Sequence, residues 1–505
     1  MSEETGLSFR FESMNIYDKV MEHGFIVDYL KSDCELISKY IWATIGSTLD
    51  LDTLPSRLPS LPPERYRVFP KEALVKDNIA SASFLCPSSE QLFEAKLSRA
   101  KLLSLKNSTK PIWHFEVEPE SSVRYLPGDA FGIFVENDSQ LVSLLLERLK
   151  INDPLYMKDT KSVSSVTVEV FSALRKQFDL FSTPKKSLLR LLGEFCVDDR
   201  EERALLLLSS DIGRDTYRTL FIRGRVSLLD ILMAFPSCEP PLQRVLDCLP
   251  FLTPRYYSAS SCYESDSRKI DFVFSLVHYP IFSEKKWMRR GHATGVFDRI
   301  CNQLEKWPKH NVRLTIFHHP SLYFHPPDNL QIPYLMICAG TGLAPFRGFV
   351  EARRRHYEKW LSMEDGLAAV EGELVERTFV GPIYLFFGCR KIGEFQDYLE
   401  EIETDISFLP DSKLFVCYSR ESGDVKYVQD LLKKQAEQVC NLIFSHSSSC
   451  IYVCGDGANM AKGVQESLID IFVNEHIFGN KEDAKNFMKE LSDERRYVQD
   501  IWFWG

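Results

Sequence analysis

Tyr334-Leu335-Met336-Ile337-Cys338-Ala339-Gly340-Thr341-Gly342-Leu343-Ala344-Pro345-Phe346 decides the architecture of the last third of this chain. Five residues without a charge read as a short apolar strand. Two glycines then let the backbone turn tightly, and Pro345 suits the first turn of a helix beginning there. A strand, a glycine loop and a helix start in that order open a parallel α/β unit whose loop N–H groups can face an anionic group. The pattern recurs downstream. Ile383 to Phe387 precedes Gly388-Cys389-Arg390, Leu414 to Tyr418 precedes Ser419-Arg420, and Ile451 to Val453 precedes Cys454-Gly455-Asp456. Each tip falls at the carboxyl end of a strand, where an open parallel sheet binds its ligand.

Upstream the period changes. Short alternating runs between Phe84 and Val135, such as Ile112 to Val117 and Phe131 to Phe134 around the turn Leu126-Pro127-Gly128-Asp129, read as antiparallel strands of a barrel. Between 140 and 245 the runs Leu141 to Leu149, Leu188 to Phe195, Glu202 to Leu208 and Leu228 to Phe235 carry apolar residues at helical spacing, so a helical insertion interrupts the barrel. Barrel strands resume near Arg255 and in Asp271 to Val277. Residues 1 to about 50 look partly helical, and Leu51 to Pro63, with four prolines, reads as an extended linker.

The expected division is an extension and linker over 1–75, a first barrel part over 76–139, a helical connecting region over 140–245, a second barrel part over 246–325, and a sheet domain over 326–505. At 505 residues the chain exceeds what one core serves, in keeping with that division. The formal net charge of −10 argues against a nucleic-acid binder, whose affinity rests on clustered cations. Thirteen cysteines without a C-x-x-C pair suit buried thiols in a reducing compartment better than a disulfide framework or a zinc site. The amino terminus has no basic start followed by an apolar run, and no stretch approaches a membrane span, so a cytosolic enzyme is the default expectation.

The chemistry follows the strand ends. In Arg255-x-Tyr257-Ser258, alternation puts Arg255 and Tyr257 on one face, where a guanidinium can clamp a pyrophosphate and a phenol ring can cover a flavin face; Ser258 then sits beside flavin N5. Alone, the tetrapeptide fits an exposed barrel strand equally well. Gly291 and Thr294 in Gly291-His292-Ala293-Thr294, preceded by Arg289 and Arg290, offer backbone donors, a hydroxyl and positive charge to the same pyrophosphate. Gly340 and Thr341 can cradle a nicotinamide dinucleotide or simply make a structural turn, and Arg390 reads equally as a further phosphate ligand or as a solvated strand end. Ser419 and Arg420, followed by Lys426, Tyr427 and Gln429, supply the cations and hydroxyls that a 2′-phosphate requires, which makes NADPH rather than NADH the expected donor. Cys454 and Asp456 close the fourth strand beside the nicotinamide. Near the end, Trp502 can stack over a flavin, and Asp500 can stabilise the positive charge that appears as hydride leaves NADPH.

These segments, from about residue 80 to 505, resemble the FAD- and NADPH-binding half of the diflavin reductases, a ferredoxin-NADP reductase-like family with a helical connecting domain. Leu228-Leu229-Asp230-Ile231-Leu232-Met233-Ala234-Phe235-Pro236-Ser237-Cys238-Glu239-Pro240-Pro241 is most similar to the methionine synthase reductase branch of that family. So are Tyr384 to Arg390, Lys426-Tyr427-Val428-Gln429-Asp430 and Tyr497-Val498-Gln499-Asp500-Ile501-Trp502.

The fold implied is a multidomain α/β and β arrangement: an antiparallel FAD-binding β-barrel with a helical connecting insertion, then a parallel-sheet Rossmann-like NADP-binding domain. The resemblance implies that Arg255, Tyr257, Ser258 and Thr294 hold FAD. It assigns Thr341, Arg390, Ser419, Arg420, Lys426, Tyr427 and Gln429 to NADPH, and Ser258, Cys454, Asp500 and Trp502 to the hydride-transfer site. No metal is expected.

Three departures stand out. Cys338-Ala339 replaces the family's Gly-Pro before the glycine loop, Lys426 directly precedes Tyr427, and Trp504 is a second indole that competes with Trp502 for the lid role. The expected flavodoxin-like FMN domain has no counterpart in the first 75 residues. The expected partner is thus an FMN-containing flavodoxin-like domain or protein, with methionine synthase as the final target and Lys285-Lys286-Trp287-Met288-Arg289-Arg290 as the docking surface. Two alternatives stay open: a diflavin reductase serving a haem or iron–sulfur protein, and an interaction protein that keeps FAD without catalysis.

Overall fold

The computed structural model describes residues 31–55, 57–74, 79–85, 91–161, 166–263, 268–283, 288–306, 311–371 and 380–502. Along the chain the strands are β1 (Tyr66–Pro70), β2 (Ile79–Ala80), β3 (Phe93–Leu102), β4 (Ile112–Pro119), β5 (Ala130–Phe134), β6 (Leu155–Asp159), β7 (Thr167–Glu169), β8 (Arg255–Ser258), β9 (Ile270–Ser275), β10 (His278–Pro280), β11 (Met288–Arg290), β12 (Arg313–His319), β13 (Tyr334–Ala339), β14 (Ile383–Cys389), β15 (Lys413–Tyr418), β16 (Cys450–Asp456) and β17 (Tyr497–Trp502).

Six of these form the barrel in the order β8-β5-β12-β3-β4-β9, with every neighbour antiparallel. The two outer members meet where the Ser260 N–H donates to the Asp271 carbonyl at 2.7 Å. Alternation fills the interior: Trp113, Phe115 and Val117 of β4, Phe131 and Ile133 of β5, and Phe272 and Phe274 of β9 share one core with Val296, Phe297 and Ile300 of the helix His292–Lys306. β12, between β5 and β3, is a member that the sequence pattern had not separated from its surroundings.

The helical insertion leaves the barrel after β5 and returns at β8, two strands paired in register from Ala130–Ser258 to Ile133–Arg255. Its helices form as the apolar spacing predicts, and three of them start on side-chain caps. Asp138 accepts from the Gln140 N–H, Asp198 from those of Arg200 and Glu201, and Ser227 with Asp230 closes a capping box on Leu228–Ala234. The helix Lys31–Thr48 joins this core: Ile37, Ile41 and Ile45 are buried in it, and the Trp42 indole donates to the Ala234 carbonyl at 2.8 Å. A small sheet in the order β1-β6-β7-β2 flanks the helices. β6 and β7 are five and three residues long, too short to show alternation, so residues 140–245 read as helical throughout in the sequence.

The last unit is a parallel sheet in the order β15-β14-β13-β16-β17. Its strands are apolar on both faces because helices cover both. One face, with Leu335, Ile337, Phe386, Ile451 and Val453, packs on the helices Val428–Lys434, Ala436–Phe444, Lys462–Asn474 and Lys481–Asp493. The other, with Met336, Cys338, Phe387 and Cys454, shares a core with Leu103, Ile112 and Val273 of the barrel.

A polar weld fixes barrel and sheet domain together. Arg347 donates to the Ser260 carbonyl at 2.8 Å and to Asp271 at 2.9 Å in the barrel, and to Glu401 at 2.8 Å in its own domain. Tyr398 lies under the Arg347 guanidinium and meets His114 at 2.7 Å. No described helix is long and apolar enough to cross a membrane.

Candidate functional site

Register carries the first part of the site. Cys338, Cys454 and Asp500 lie opposite one another on β13, β16 and β17, so all three side chains emerge on the sheet face turned to the barrel. Asp500 is a carboxylate on an otherwise apolar row between Val498 and Trp502. It receives the hydroxyl of Ser258, from the end of β8, at 2.9 Å, and the Cys454 thiol lies 3.9 Å from the same oxygen. Ser258 and Cys454, distant in sequence, thus converge on the Asp500 carboxylate at the junction of barrel and sheet.

The electrostatics follow from the burial. Burial pushes the Asp500 carboxyl above its ordinary range, against the lowering effect of the Ser258 and Cys454 hydrogen bonds. The Cys454 thiol goes up strongly, through burial and then the Asp500 charge, and has no exposed surface. It is an uncharged group behind the carboxylate, not a nucleophile. Ser258 and Asp500 are half-exposed and form the open rim. Trp502 ends β17, half-buried against the same core, opposite Asp456. Trp504 lies outside the described residues.

The loop after β13 approaches β16 closely. A Cβ on Gly342 would stand 2.3 Å from the Cys454 carbonyl oxygen, so only glycine fits. Gly342→Ala is expected to destabilise the protein by about 1–3 kcal/mol, the usual cost of forcing an overpacked site apart, read as a lower denaturant midpoint at unchanged slope. Gly340 has a φ of +57°, with open space where a side chain would project.

The carboxyl edge of the sheet gathers cations. The Ser419 N–H donates to the Cys389 carbonyl and the Arg420 N–H to that of Arg390, both at 2.8 Å, which brings Arg390, Ser419 and Arg420 to one end of β14 and β15. Arg420, Lys426 and Tyr427 are exposed, and neither cation has a carboxylate partner among the described residues. Asp430 accepts from the Lys426 and Tyr427 N–H groups, which holds that turn ahead of the helix Val428–Lys434.

Two predicted ligands have other partners. The Gln429 amide reaches the Met460 carbonyl at 3.4 Å and lies against Gly463, and Asp456 caps the following turn through Ala458 and Asn459. Lys110, between β3 and β4, was missed by the sequence reading. Burial lowers the pKa of its amine, then Arg390 lowers it further, against Asp456 and Glu394. A lysine in a polar turn gives no local sign of the domain it will face.

At the barrel, Tyr257 packs edge-on against Phe115 and Phe297, and Arg255 is exposed, its guanidinium donating to Thr253. The helix His292–Lys306 starts beside it. Thr294 Oγ1 accepts the Val277 N–H at 3.1 Å, which fixes the turn at Gly291. Burial, Arg255 and Arg299 push His292 down to about 3, so its ring is neutral; with Nε2 on the Val135 carbonyl, Nδ1 is left as an acceptor without a partner among the described residues.

Arg289 and Arg290, expected beside a pyrophosphate, are instead paired with carboxylates of the protein. Arg289 is buried and forms two hydrogen bonds to Asp230 at 2.8 and 2.6 Å, and Arg290 pairs with Asp298 at 3.1 Å. Alternation in β11 turns Arg289 inward to Asp230, and Arg290 meets Asp298 of the helix that follows. Burial removes Arg289 from the expected docking surface, while Arg290 stays partly exposed beside Asp298; Lys285, Lys286 and Trp287 of that segment lie outside the described residues.

Comparison with known proteins finds matches in both the barrel and the sheet domain. A model for the FAD binding domain matches residues 87–295, and one for the oxidoreductase NAD-binding domain matches residues 336–466. Methionine synthase reductase of Rattus norvegicus is 31% identical over 509 residues, covering 94% of this chain and 69% of the relative. The chain belongs to the diflavin reductase family. The Homo sapiens methionine synthase reductase is also 31% identical, over 88% of this chain and 65% of its own length, and the NADPH–cytochrome P450 reductase of Dictyostelium discoideum is 30% identical over 81% and 58%. The chain therefore spans about two thirds of the length of the methionine synthase reductases it matches.

As a diflavin reductase it is an NADPH-dependent flavin oxidoreductase with sites for FAD and NADPH. The residues present fit both. The exposed Arg255, the fixed Gly291–Thr294 turn and the orphaned His292 nitrogen suit the phosphates and hydroxyls of FAD. The open space at Gly340 and the exposed cations Arg420 and Lys426 suit a phosphorylated dinucleotide.

Proposed function

We propose that this chain takes hydride from NADPH and passes electrons singly to an FMN-containing flavodoxin-like domain or protein, in the reductive reactivation of the cobalamin of methionine synthase. The convergence of Ser258 and Cys454 on Asp500 carries this reading. FAD, when bound, supplies the hydride acceptor and the splitting of an electron pair into single electrons.

This chain's residues supply binding and electrostatics. Arg255, Tyr257, Ser258, Gly291 and Thr294 would hold FAD; Gly340, Thr341, Arg390, Lys110, Ser419, Arg420, Lys426 and Tyr427 would hold NADPH. Asp500 holds negative charge where positive charge develops as hydride leaves, and the Ser258 hydroxyl aims that carboxylate. Cys454 keeps the rear of the site dry and uncharged. Trp502 shields the flavin until nicotinamide enters. The relatives named methionine synthase reductase, which match 88 to 94% of this chain, support the assignment of the target. The twelve described cysteines are all free thiols, which supports a cytosolic setting.

Two substitutions test the coenzyme site. Arg420→Ala is expected to raise the KM for NADPH about 30-fold, as loss of one charge-assisted contact worth about 2 kcal/mol predicts, while leaving that for NADH nearly unchanged. Equal losses for both coenzymes would refute the 2′-phosphate assignment. Trp502→Ala is expected to relax the discrimination against NADH, measured as the ratio of kcat/KM values; an unchanged ratio moves the lid elsewhere.

The acceptor is tested by supplying the FAD-loaded protein, NADPH and an FMN flavodoxin to methionine synthase with oxidised cobalamin. Recovery of methionine formation supports the proposal. Failure alongside fast reduction of a haem protein would favour a different branch of the family, in line with the likeness to NADPH–cytochrome P450 reductase.

A further inference from the structure

Two thiols of the helical region face each other across a backbone bridge that has no part in the flavin or nicotinamide sites. Cys196 and Cys238 are paired antiparallel, flanked by hydrogen bonds from the Val197 N–H to the Ser237 carbonyl at 3.3 Å and from the Glu239 N–H to the Phe195 carbonyl at 2.9 Å. That pattern makes them a non-hydrogen-bonded pair, the closer of the two antiparallel kinds, with Cα atoms about 4.5 Å apart. Disulfides span Cα separations of about 4.4–6.8 Å, so the backbone is already set for one. Both sulfurs also converge on one acceptor, the Leu192 carbonyl, at 3.4 Å from Cys196 and 3.1 Å from Cys238.

The two thiols differ in the way a redox pair requires. Cys196 is half-exposed, next to the open Val197 side chain, while Cys238 is fully buried. A hydrogen bond with Cys238 holds the Cys196 thiol below its ordinary range, and the same bond, with burial, pushes Cys238 up. The attacking sulfur is thus the accessible one, and its resolving partner waits behind it. Another pair, Cys338 and Cys454, sits in register on β13 and β16 with no exposed surface, out of reach of a dissolved oxidant.

We propose that Cys196 and Cys238 form a reversible disulfide when the protein meets a peroxide. The Cys196 thiolate attacks one peroxide oxygen, releasing hydroxide and becoming a sulfenic acid. The Cys238 sulfur then attacks the Cys196 sulfur, forming the S–S bond and releasing hydroxide. With the two thiol protons the products are two waters: the peroxide gains the two electrons that the pair loses. The bridge ties the segment after the helix Lys186–Glu194 to the segment after Leu228–Ala234, the helix whose Asp230 holds Arg289 of β11. Oxidation therefore staples the region that anchors the turn at Gly291.

The test exposes the full-length, FAD-loaded protein to dilute hydrogen peroxide, then unfolds it in denaturant, alkylates the remaining thiols and maps them by mass spectrometry without reduction. The expected result is joint loss of labelling at Cys196 and Cys238, a linked peptide lighter by two hydrogens than the sum of the two, and restoration of both labels by dithiothreitol. Cys238→Ser is expected to stop the reaction at a Cys196 sulfenic acid that dimedone traps. Full labelling of either cysteine after oxidation, or cross-links through Cys34 or Cys262 in place of this pair, would overturn the proposal, and the wild-type map decides it even if the variant does not fold.

Discussion

Asp500→Asn is expected to slow the anaerobic reduction of bound FAD by NADPH about 10²- to 10³-fold, the range found when one preorganised electrostatic group is removed from a reaction centre. The same change is expected to raise the thermal midpoint at neutral pH. The signs differ because the carboxylate serves the reaction at the expense of the fold. Burial raises its pKa, so the stability associated with this group is fully present when it is protonated and is lost as pH rises through the raised value. Asparagine keeps an acceptor for the Ser258 hydroxyl and removes the partly buried charge. A merely structural carboxylate would lose stability and rate together, so a lowered midpoint would contradict the assignment. In the wild type, the hydride-transfer rate is expected to climb with pH across a limb above the ordinary carboxylate range, and the limb is expected to vanish in the variant.

Arg289→Met is expected to cost about 3–5 kcal/mol, the usual consequence of leaving one member of a buried ion pair without its partner. The pair is almost wholly enclosed, with side chains 5% and 0% exposed, and joins the helical region to the hairpin that precedes Gly291. Denaturant midpoints measure the loss, and the FAD content of the purified variant is expected to fall with it because β11 no longer holds the turn.

The double change Arg289→Met with Asp230→Leu is expected to recover most of the stability, since a well-packed apolar pair often equals a buried ion pair. The pH dependence separates the two cases. Burial opposes the Asp230 charge, but Arg289 and Ser227 outweigh it and hold the carboxyl below its ordinary range. Its contribution is present above the ordinary carboxylate range and lost as pH falls through the depressed value. The wild type is therefore expected to lose stability on acidification more steeply than the double variant.

The parallel sheet was legible because β13, β14, β15 and β16 are uninterrupted apolar strands, each ending in a polar tip. The resemblance named Ser258, Cys454, Asp500 and Trp502 for one site, but the strand Tyr497–Trp502, whose register sets Asp500 opposite Cys454, was not visible in so short a run beside the chain end. What sequence did not show depends on distant partners. Arg289 reads as a surface cation until Asp230 is seen across the hairpin, and Lys110 reads as a turn residue until the barrel meets Arg390. The short strands β6 and β7 carry too few residues for a period, and β12 becomes a barrel member only through its neighbours β3 and β5. The apolar face of Lys31–Thr48 did have the right spacing, with Ile37, Ile41 and Ile45, but nothing local names the core it enters.

The most direct test of the central claim is a single anaerobic mixing of the FAD-loaded protein with NADPH and, separately, with NADPH deuterated at the transferred position of C4. Hydride transfer at the junction of Ser258, Cys454 and Asp500 predicts complete loss of the oxidised flavin absorbance, a slower rate with the deuterated coenzyme, and a strong reduction of both rates in Asp500→Asn. An oxidised flavin spectrum that persists while NADPH is bound would contradict it.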